Sequence, residues 1–334
     1  MAVALSDMPS RVLVTGGGGF VGRHLIAALD QALPPGSEIL AGSSSADGTK
    51  PDGWGAGRVP VRVVELDITD ARQVGGVIRA EQPTHLVHLA AIAAVTASNR
   101  DPRHTWNVNL SGTLNVALAV ADECPGCRIA FSSSAEVYGA SFKAGVPLDE
   151  TAALQPVNPY ASSKAAADLM LGQMALQGLK VARLRPFNHT GPGQTEHFAI
   201  PSFAAQIARI ERGLQEPVIR VGHLDSMRDF LDVQDVVAAY VATVLRADDL
   251  PVGCVMNLSS GTARRIGDML DALLALSDTR IEVVPDPARF RPSDTPLVVG
   301  DSGKARTLLE WRPERDIDYT LASVLGYWRA LVSG

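Results

Sequence analysis

Short apolar, β-branched runs alternate with longer amphipathic stretches through the first half of the chain. RVLVT (11–15), EILAG (38–42), VRVVEL (61–66), THLVHLA (84–90) and RIAFSS (128–133) read as strands. Residues 20–33, 70–81, roughly 99–123 and 160–178 read as helices. Strands that are apolar throughout are covered on both faces, and strands separated by helices run parallel. The pattern predicts an α/β fold built on a Rossmann-type doubly wound parallel sheet.

The texture changes near residue 186, where Pro, Gly and His cluster in RPFNHTGPGQTEHF. Shorter elements follow: helices at 197–213, 232–247 and 264–277, and strands at 217–221, 253–258 and 280–285. Two parts are expected. Residues 1–185 form the sheet domain, and residues 186–334 form mainly a smaller α/β lobe, with the chain able to cross back to the sheet. Ligands of such sheets bind beyond the carboxyl ends of the strands, here in the cleft between the parts. The Gly/Ser-rich stretch 42–57 reads as a surface loop.

Composition changes this picture only by exclusion. A chain of 334 residues with net charge −6 has no general attraction for nucleic acid, although local arginines still suit a small anion. No apolar run is long enough to span a bilayer, and MAVALSDMPS lacks the basic start of a signal peptide, so a cytoplasmic protein is expected. Cys124 and Cys127 have CxxC spacing without a second Cys/His pair nearby, so no metal site is expected.

The chemistry starts at TGGGGFVG (15–22), where Gly16, Gly19 and Gly22 follow a strand and open a helix. Glycine permits the tight turn and lets a pyrophosphate approach the backbone at the helix N-terminus. The acidic residue expected after the second strand is missing, and Ser43, Ser44 and Ser45 stand there instead. An acid would repel a 2′-phosphate, so its absence favours NADPH slightly over NADH. Asp67 suits either the adenine edge or an N-cap for the helix at 70–81.

In NPYASSKAAAD (158–168), Tyr160 and Lys164 lie four apart and share a helix face. Asn158 and Pro159 suit the helix start. A free tyrosine titrates near about pH 10, and a neighbouring ammonium favours the phenolate. Tyr160 is therefore the candidate acid/base, with Lys164 expected to lower its pKa. FSSSAEVYG (131–139) adds Ser134 at a strand end and Glu136 two residues later.

TGGGGFVG, HLAA (88–91), Asn109, FSSSAEVYG, YxxxK and RPFN together resemble the extended short-chain dehydrogenase/reductase family of sugar-nucleotide enzymes. The resemblance covers essentially the whole chain. It implies a catalytic triad of Ser134, Tyr160 and Lys164, with Lys164 also holding the nicotinamide ribose. It implies a cofactor resting on Gly16, Gly19, Phe20, Val21 and Gly22, and meeting Ser43, Asp67 and Ile68. His88 to Ala91, including Leu89 and Ala90, would pass beneath it, and Phe187 would complete the site. Asn109 is a structural or proton-relay residue, or a plain helix-interior hydrogen bond.

A nucleotide diphosphate needs cations and N–H donors. Arg228 in SMRDF and Arg291 in RFRPSD sit where the resembled family grips its diphosphate. Asp294 can accept from a ribose hydroxyl, and Asn188 can donate to sugar or phosphate. His189 reads as a residue that orders its loop. RPFNHTGPGQTEHF, GHLDSMRDFLDVQDVV and RFRPSDTPLVVGDSGKARTLLEW look most like the GDP-4-keto-6-deoxy-D-mannose reductases, whose relatives are the GDP-mannose 4,6-dehydratases.

A 4,6-dehydratase needs a base and an acid besides the tyrosine, whereas a reductase needs only an external hydride and one proton. Glu136 has the spacing of a dehydratase base. Ala135 cannot donate a proton, however, and Pro201–Ser202 replaces the Arg-Lys usual in those dehydratases. The expected reaction is NAD(P)H-dependent reduction of the C4 ketone of GDP-4-keto-6-deoxy-D-mannose, to GDP-D-rhamnose or GDP-6-deoxy-D-talose. A dehydratase or 4-epimerase with tightly held NAD(P) is the second reading, and a non-catalytic nucleotide sensor the third. The resemblance also implies a homodimer formed through helices 99–123 and 160–178, although Leu169 and Leu176 would equally suit a monomer core.

Overall fold

The computed structural model describes residues 8–44, 57–289 and 296–333. The apolar runs form β1 (Arg11–Thr15), β2 (Glu38–Ser43), β3 (Val61–Glu65), β4 (His85–His88), β5 (Arg128–Ser132) and β6 (Val181–Pro186). Then come β7 (Asn188–Thr190), β8 (Val218–Val221), β9 (Met227–Asp232), β10 (Val255–Leu258), β11 (Ala263–Arg265), β12 (Glu282–Pro285) and β13 (Leu297–Val298). Seven strands pair in the order β10-β6-β5-β4-β1-β2-β3, all parallel. The direction of winding reverses at β1, between β2 and β4. A switch point of this kind opens a crevice at the carboxyl ends of the strands.

Helices cover both faces of the sheet. α1 (Phe20–Ala32) begins one layer, and α2 (Ala71–Glu81), α3 (Val95–Arg100), α4 (Pro102–Trp106), α5 (Thr113–Glu123) and α6 (Pro159–Leu176) follow along the chain. α7 (Ala199–Glu211), α8 (Val233–Leu245), α9 (Ile266–Leu274), α10 (Gly303–Leu309) and α11 (Ile317–Ser333) complete the set. Leu25 and Leu29 of α1 meet Val236 and Tyr240 of α8 on one face. Val74 and Ile78 of α2, Val116 and Val120 of α5, and Leu171 of α6 fill the other. A separate core joins Ile207 of α7, Leu270 of α9 and Leu325 of α11, beside β8. β10 carries the chain back from this second lobe into the first sheet. No helix among the described residues is long and apolar enough to cross a membrane.

Three differences from the sequence reading have identifiable causes. The stretch expected as one helix over 99–123 is broken at Asp101–Pro102. Pro102 cannot supply a helical N–H, and the Asp101 side chain caps the next segment through His104 N at 2.9 Å. The chain then stays helical to Glu123 but widens into a π turn at Asn107–Gly112. The strand expected over 84–90 stops at His88, because the Ala90 N–H goes to Thr15 Oγ1 at 3.2 Å. Leu169 and Leu176 do not serve the core, being 60% and 90% exposed. Most of the expected loop at 42–57, Ser45 included, lies outside the described residues.

One ionic contact ties α6 to the sheet. Asp168 of α6 is 0% exposed. Its carboxylate accepts from Arg185 Nε and Nη2 at 2.9 Å each and from Arg183 Nη1 at 2.9 Å. Burial works to raise its pKa, and the hydrogen bond and charge of Arg185, helped by Arg183, outweigh that and hold it low. Removing one partner strands a buried charge at a cost of roughly 3–5 kcal/mol. Asp168→Ala is therefore expected to lose roughly 3–5 kcal/mol of unfolding free energy in urea titrations. A loss below about 1 kcal/mol would show the pair to be no better than a surface ion pair.

Candidate active site

β1 delivers the chain into the glycine turn at the switch point. Gly16 has φ +71°, and a Cβ there would sit 2.9 Å from Ala90 N. A Cβ on Gly22 would run into the Gly16 and Gly17 carbonyls. α1 starts with Gly19 as its N-cap and no side-chain cap, so Phe20, Val21 and Gly22 open the helix without a capping acceptor. An uncapped helix start beside close-approach glycines fits the pyrophosphate of a dinucleotide.

The other predicted cofactor contacts surround this crevice. Ser43 ends β2, half-buried. Asp67 lies exposed past β3, accepting from Thr69 N at 2.9 Å and Thr69 Oγ1 at 2.8 Å. The helix cap left open for Asp67 belongs instead to Asp70, which accepts from Arg72 N and Gln73 N. Ile68 is buried against Gly112, and its carbonyl takes Asn115 Nδ2 at 2.9 Å. Leu89, Ala90 and Ala91 are half-buried. The Phe187 ring is packed in a small apolar core with Ala135, Phe142 and Val298. That leaves the Phe187 backbone as the part a cofactor would meet.

A buried hydrogen-bond line fixes the floor beneath the loop. Ala90 N donates to Thr15 Oγ1, which meets His88 Nδ1 at 2.7 Å. His88 Nε2 meets Thr113 Oγ1 at 3.0 Å, and that hydroxyl donates to Asn109 O at 2.7 Å. Each hydroxyl has one proton, so Thr113 must accept from His88 Nε2–H and Thr15 must donate to Nδ1. Burial, with the charge of Lys164, pushes the His88 pKa down to about 3, which suits this neutral tautomer. The Asn109 side chain accepts from Ile92 N at 2.8 Å and donates to Ile92 O at 3.2 Å and Ser163 Oγ at 3.0 Å.

Ser134, Tyr160 and Lys164 converge at the end of β5. Ser134 caps a 3₁₀ segment, Ala135–Ala144, by accepting from Glu136 N at 3.1 Å. Asn158 Oδ1 caps α6 through Ala161 N at 2.8 Å, and Pro159 at the helix start sets Tyr160 in the first turn. Lys164 is 3% exposed and donates from Nζ to Ser132 O at 2.6 Å. Burial pulls its pKa down to about 7, against the opposing charge of Asp168. Burial pushes Tyr160 up to about 12, a hydrogen bond from the Ser134 side opposes this, and the Glu136 charge adds to it. The expectation that the Lys164 ammonium lowers the tyrosine pKa is thus not met. Lys164 Nζ is turned to the Ser132 carbonyl, and burial dominates the Tyr160 hydroxyl.

Glu136 faces Arg228. Burial raises the Glu136 pKa, opposed by the Arg228 charge and a hydrogen bond from Asn158. Burial in turn lowers Arg228, opposed by Glu136. Asn188 stands exposed at the start of β7. His189 orders its own loop, with Nδ1 2.9 Å from the Phe187 carbonyl and its ring stacked on Phe20. Arg291 and Asp294 lie outside the described residues.

A partner for Arg228 and a second group of cations went unread in the sequence. Arg264 of β11 is paired directly opposite Arg228 of β9, so both project from one face. The Arg264 Nε is buried without a hydrogen-bond partner. Like charges set opposite each other call for an anion between them. In the second lobe, Arg209, Arg220 and Arg289 line a cavity of about 320 Å³ with Ser202, Gln206, Glu196 and Glu216, and Arg209 pairs with Glu196 at 2.8 Å. Arg289 Nη1 donates to Ser202 Oγ at 3.1 Å. The missing Arg-Lys at Pro201–Ser202 therefore does not leave this region without cations. They come from three distant segments that no local motif links.

The family model described as GDP-mannose 4,6 dehydratase matches residues 13–324. The chain is 36% identical over 326 residues to GDP-6-deoxy-D-mannose reductase of Pseudomonas aeruginosa, covering 97% of this chain and 99% of that one. It is 30% identical to UDP-glucose 4-epimerase of Azospirillum brasilense, covering 96% and 92% respectively. A solved structure of RMD from Pseudomonas aeruginosa complexed with NADPH superposes with a TM-score of 0.82 at 33% identity, covering 97% of this chain and all of the other. With the glycine cradle at the switch point and Tyr160 and Lys164 on one helix, these likenesses place the chain in the GDP-mannose 4,6-dehydratase family of extended short-chain dehydrogenase/reductases, which are NAD(P)-dependent sugar-nucleotide enzymes.

Proposed function

We propose that the protein reduces the C4 ketone of GDP-4-keto-6-deoxy-D-mannose, using NADPH in preference to NADH, to give GDP-6-deoxy-D-mannose (GDP-D-rhamnose). The observation that carries this reading is the convergence of Ser134, Tyr160 and Lys164 at the end of β5, in a chain 36% identical to a GDP-6-deoxy-D-mannose reductase. The 36% identical reductase supports the choice of reaction and of product. We assign residues 1–185 to the cofactor and residues 186–334 mainly to the sugar nucleotide, with β10 crossing back.

NADPH supplies the hydride when bound. Ser134 and Tyr160 donate hydrogen bonds to the ketone oxygen, which polarises the carbonyl toward attack. Tyr160 gives its proton to O4 as C4 gains hydride, and the remaining phenolate recovers a proton from water. A high tyrosine pKa suits this direction, because the acid must arrive loaded. Lys164 orients the tyrosine from one turn further along the helix and offers its remaining N–H donors to a ribose hydroxyl. Gly16, Gly19, Phe20, Val21 and Gly22 take the pyrophosphate at the α1 start. Arg228 and Arg264 bind the diphosphate of the sugar nucleotide, and Arg209, Arg220 and Arg289 its distal end. Glu136 balances Arg228 and shapes the sugar site.

Leu169 and Leu176 are seven apart on α6, and Leu118 on the neighbouring α5 is also exposed. We propose that these leucines meet a second copy of the chain, which makes the working enzyme a homodimer. Light scattering should give a mass of twice 35.3 kDa. Leu169→Glu with Leu176→Glu should halve it, and an unchanged mass would remove α6 from the interface.

Turnover of GDP-4-keto-6-deoxy-D-mannose should consume one NADPH per product, followed by absorbance and chromatography. Turnover without NADPH loss would move the protein to the epimerase or dehydratase reaction. Tyr160→Phe should lower kcat by about 10²–10⁴-fold while GDP-sugar binding persists, and near-normal turnover would remove Tyr160 from the mechanism.

Lys164 gives a second, activity-independent prediction. Its folded pKa of about 7 lies below the ordinary 10.5. Between those values the unfolded chain holds a proton that the folded chain lacks, so stability rises with pH through that window. The rise is at most about 1.4 kcal/mol per pH unit. Lys164→Met should lose this rise in urea titrations between pH 7 and 10, and parallel curves for the two proteins would contradict it.

A further inference from the structure

Ser132 is the last residue of β5, two residues before Ser134, and it is held from both faces of the sheet. From the α6 side, Lys164 Nζ donates to the Ser132 carbonyl at 2.6 Å. From the α8 side, Tyr240 OH donates to Ser132 Oγ at 2.7 Å. Tyr240 is 1% exposed and packed among Val236, Val237 and Val244 of its own helix, with Leu184 of β6 nearby in the same core. A buried phenol finds a hydrogen-bond partner, and here the partner is the one residue that also receives the lysine.

A lysine with 3% exposure depends on the acceptor it is given, because a buried N–H donor left without one is costly. That acceptor is a carbonyl at the end of a strand, just before the chain leaves the ladder for the 3₁₀ segment; the backbone there is paired with β6 through Ser133 N to Leu184 O at 2.7 Å. The ladder bond fixes the strand end on its β6 side and leaves the Ser132 side chain to be fixed by its own partner. The Tyr240 hydroxyl supplies the pin, from a helix that enters after β9 and belongs in sequence to the second half of the chain.

We propose that Tyr240 is a positioning residue for this centre: by fixing Ser132 it fixes the carbonyl that holds Lys164 and the backbone that presents Ser134 to Tyr160. The proposal rests on the reductase reading of Ser134, Tyr160 and Lys164. Tyr240 touches no reacting atom, so its loss acts on the rate of the chemical step and not on the grip on the sugar nucleotide.

The test is a double-mutant cycle between Tyr240→Phe and Ser132→Ala, read by steady-state kinetics with NADPH and GDP-4-keto-6-deoxy-D-mannose. Melting temperature and calorimetric GDP affinity are measured on every variant. Tyr240→Phe should lower kcat about tenfold, about 1.4 kcal/mol in the barrier, with KM for the sugar nucleotide and GDP affinity within about twofold of wild type. Ser132→Ala should do the same, and the double variant should fall no further than either single one, since all three lack the same hydrogen bond. A wild-type kcat in Tyr240→Phe, or losses that multiply in the double variant, overturns the proposal. If Tyr240→Phe does not fold, Ser132→Ala alone decides, because it removes the acceptor without touching the core. A kcat loss at unchanged KM supports the pin, and an unchanged kcat overturns it. Tyr160→Phe is run alongside. Turnover retained there sinks the triad itself, whereas an inactive Tyr160→Phe with a normal Tyr240→Phe sinks only the role of Tyr240.

Discussion

A carboxylate with no exposed surface must be paired or it unfolds its surroundings, and Asp168 is such a carboxylate. It lies one helical turn beyond Lys164 and two beyond Tyr160, so whatever holds it sets the axial position of the catalytic helix. Arg185 and Arg183 of β6 do so directly. Arg185 passes the constraint on by donating from Nη1 to Tyr138 OH at 3.0 Å, and Tyr138 donates to Asn257 Oδ1 at 2.7 Å. Asn257 then holds the backbone of Leu148 and Asp301. One buried charge thus ties α6, β6, β10 and the segment after Ser134 into one rigid unit. A site that must hold a hydroxyl within hydrogen-bonding reach of a ketone oxygen needs that rigidity.

The same dryness sets the electrostatics. Burial drives Lys164 toward its neutral form and Tyr160 toward its protonated form. Both shifts favour the uncharged species, as a low-dielectric pocket dictates. A site that had to abstract a proton from carbon would want the opposite for its base. The proposed proton donor wants a neutral phenol, and burial favours that form. His88 is kept neutral by the same burial and serves as a two-sided hydrogen-bond spacer with no charge to disturb the pair above it.

The first five strands, the glycine turn and the Tyr160 helix were legible in the sequence, because each follows a local rule of period, capping or close approach. β6 was not, and the reason is physical. VARLRP interrupts its apolar run with two arginines, the signature of an exposed segment unless a buried acid answers them, and Asp168 lies on another element. Pro102 was visible, but a helical pattern on both sides of it concealed the break. Asp67 and Asp70 sit three apart in one polar turn, and only the backbone path shows which of them caps α2. The Ser132–Tyr240 contact spans 108 positions, and the cations around Ser202 come from three segments. Long-range polar pairings leave no periodicity behind, so sequence patterns place the elements well and their cross-links poorly.

The relatives span reductases, dehydratases and epimerases, so the shared scaffold and triad do not by themselves select a reaction. Selection must come from what surrounds the triad, and Glu136 is the informative neighbour. A dehydratase base has to be charged and turned toward the sugar. Here the carboxyl is pulled two ways: burial favours its neutral form, and Arg228 favours the anion. A bound diphosphate would compete for Arg228, and Glu136 would then lose the charge that opposes its burial. Under that competition the carboxyl is a poorer base with substrate present than without it. On the proposed reductase reading, Glu136 is then a residue that shapes the sugar site, and Tyr160 alone carries the proton.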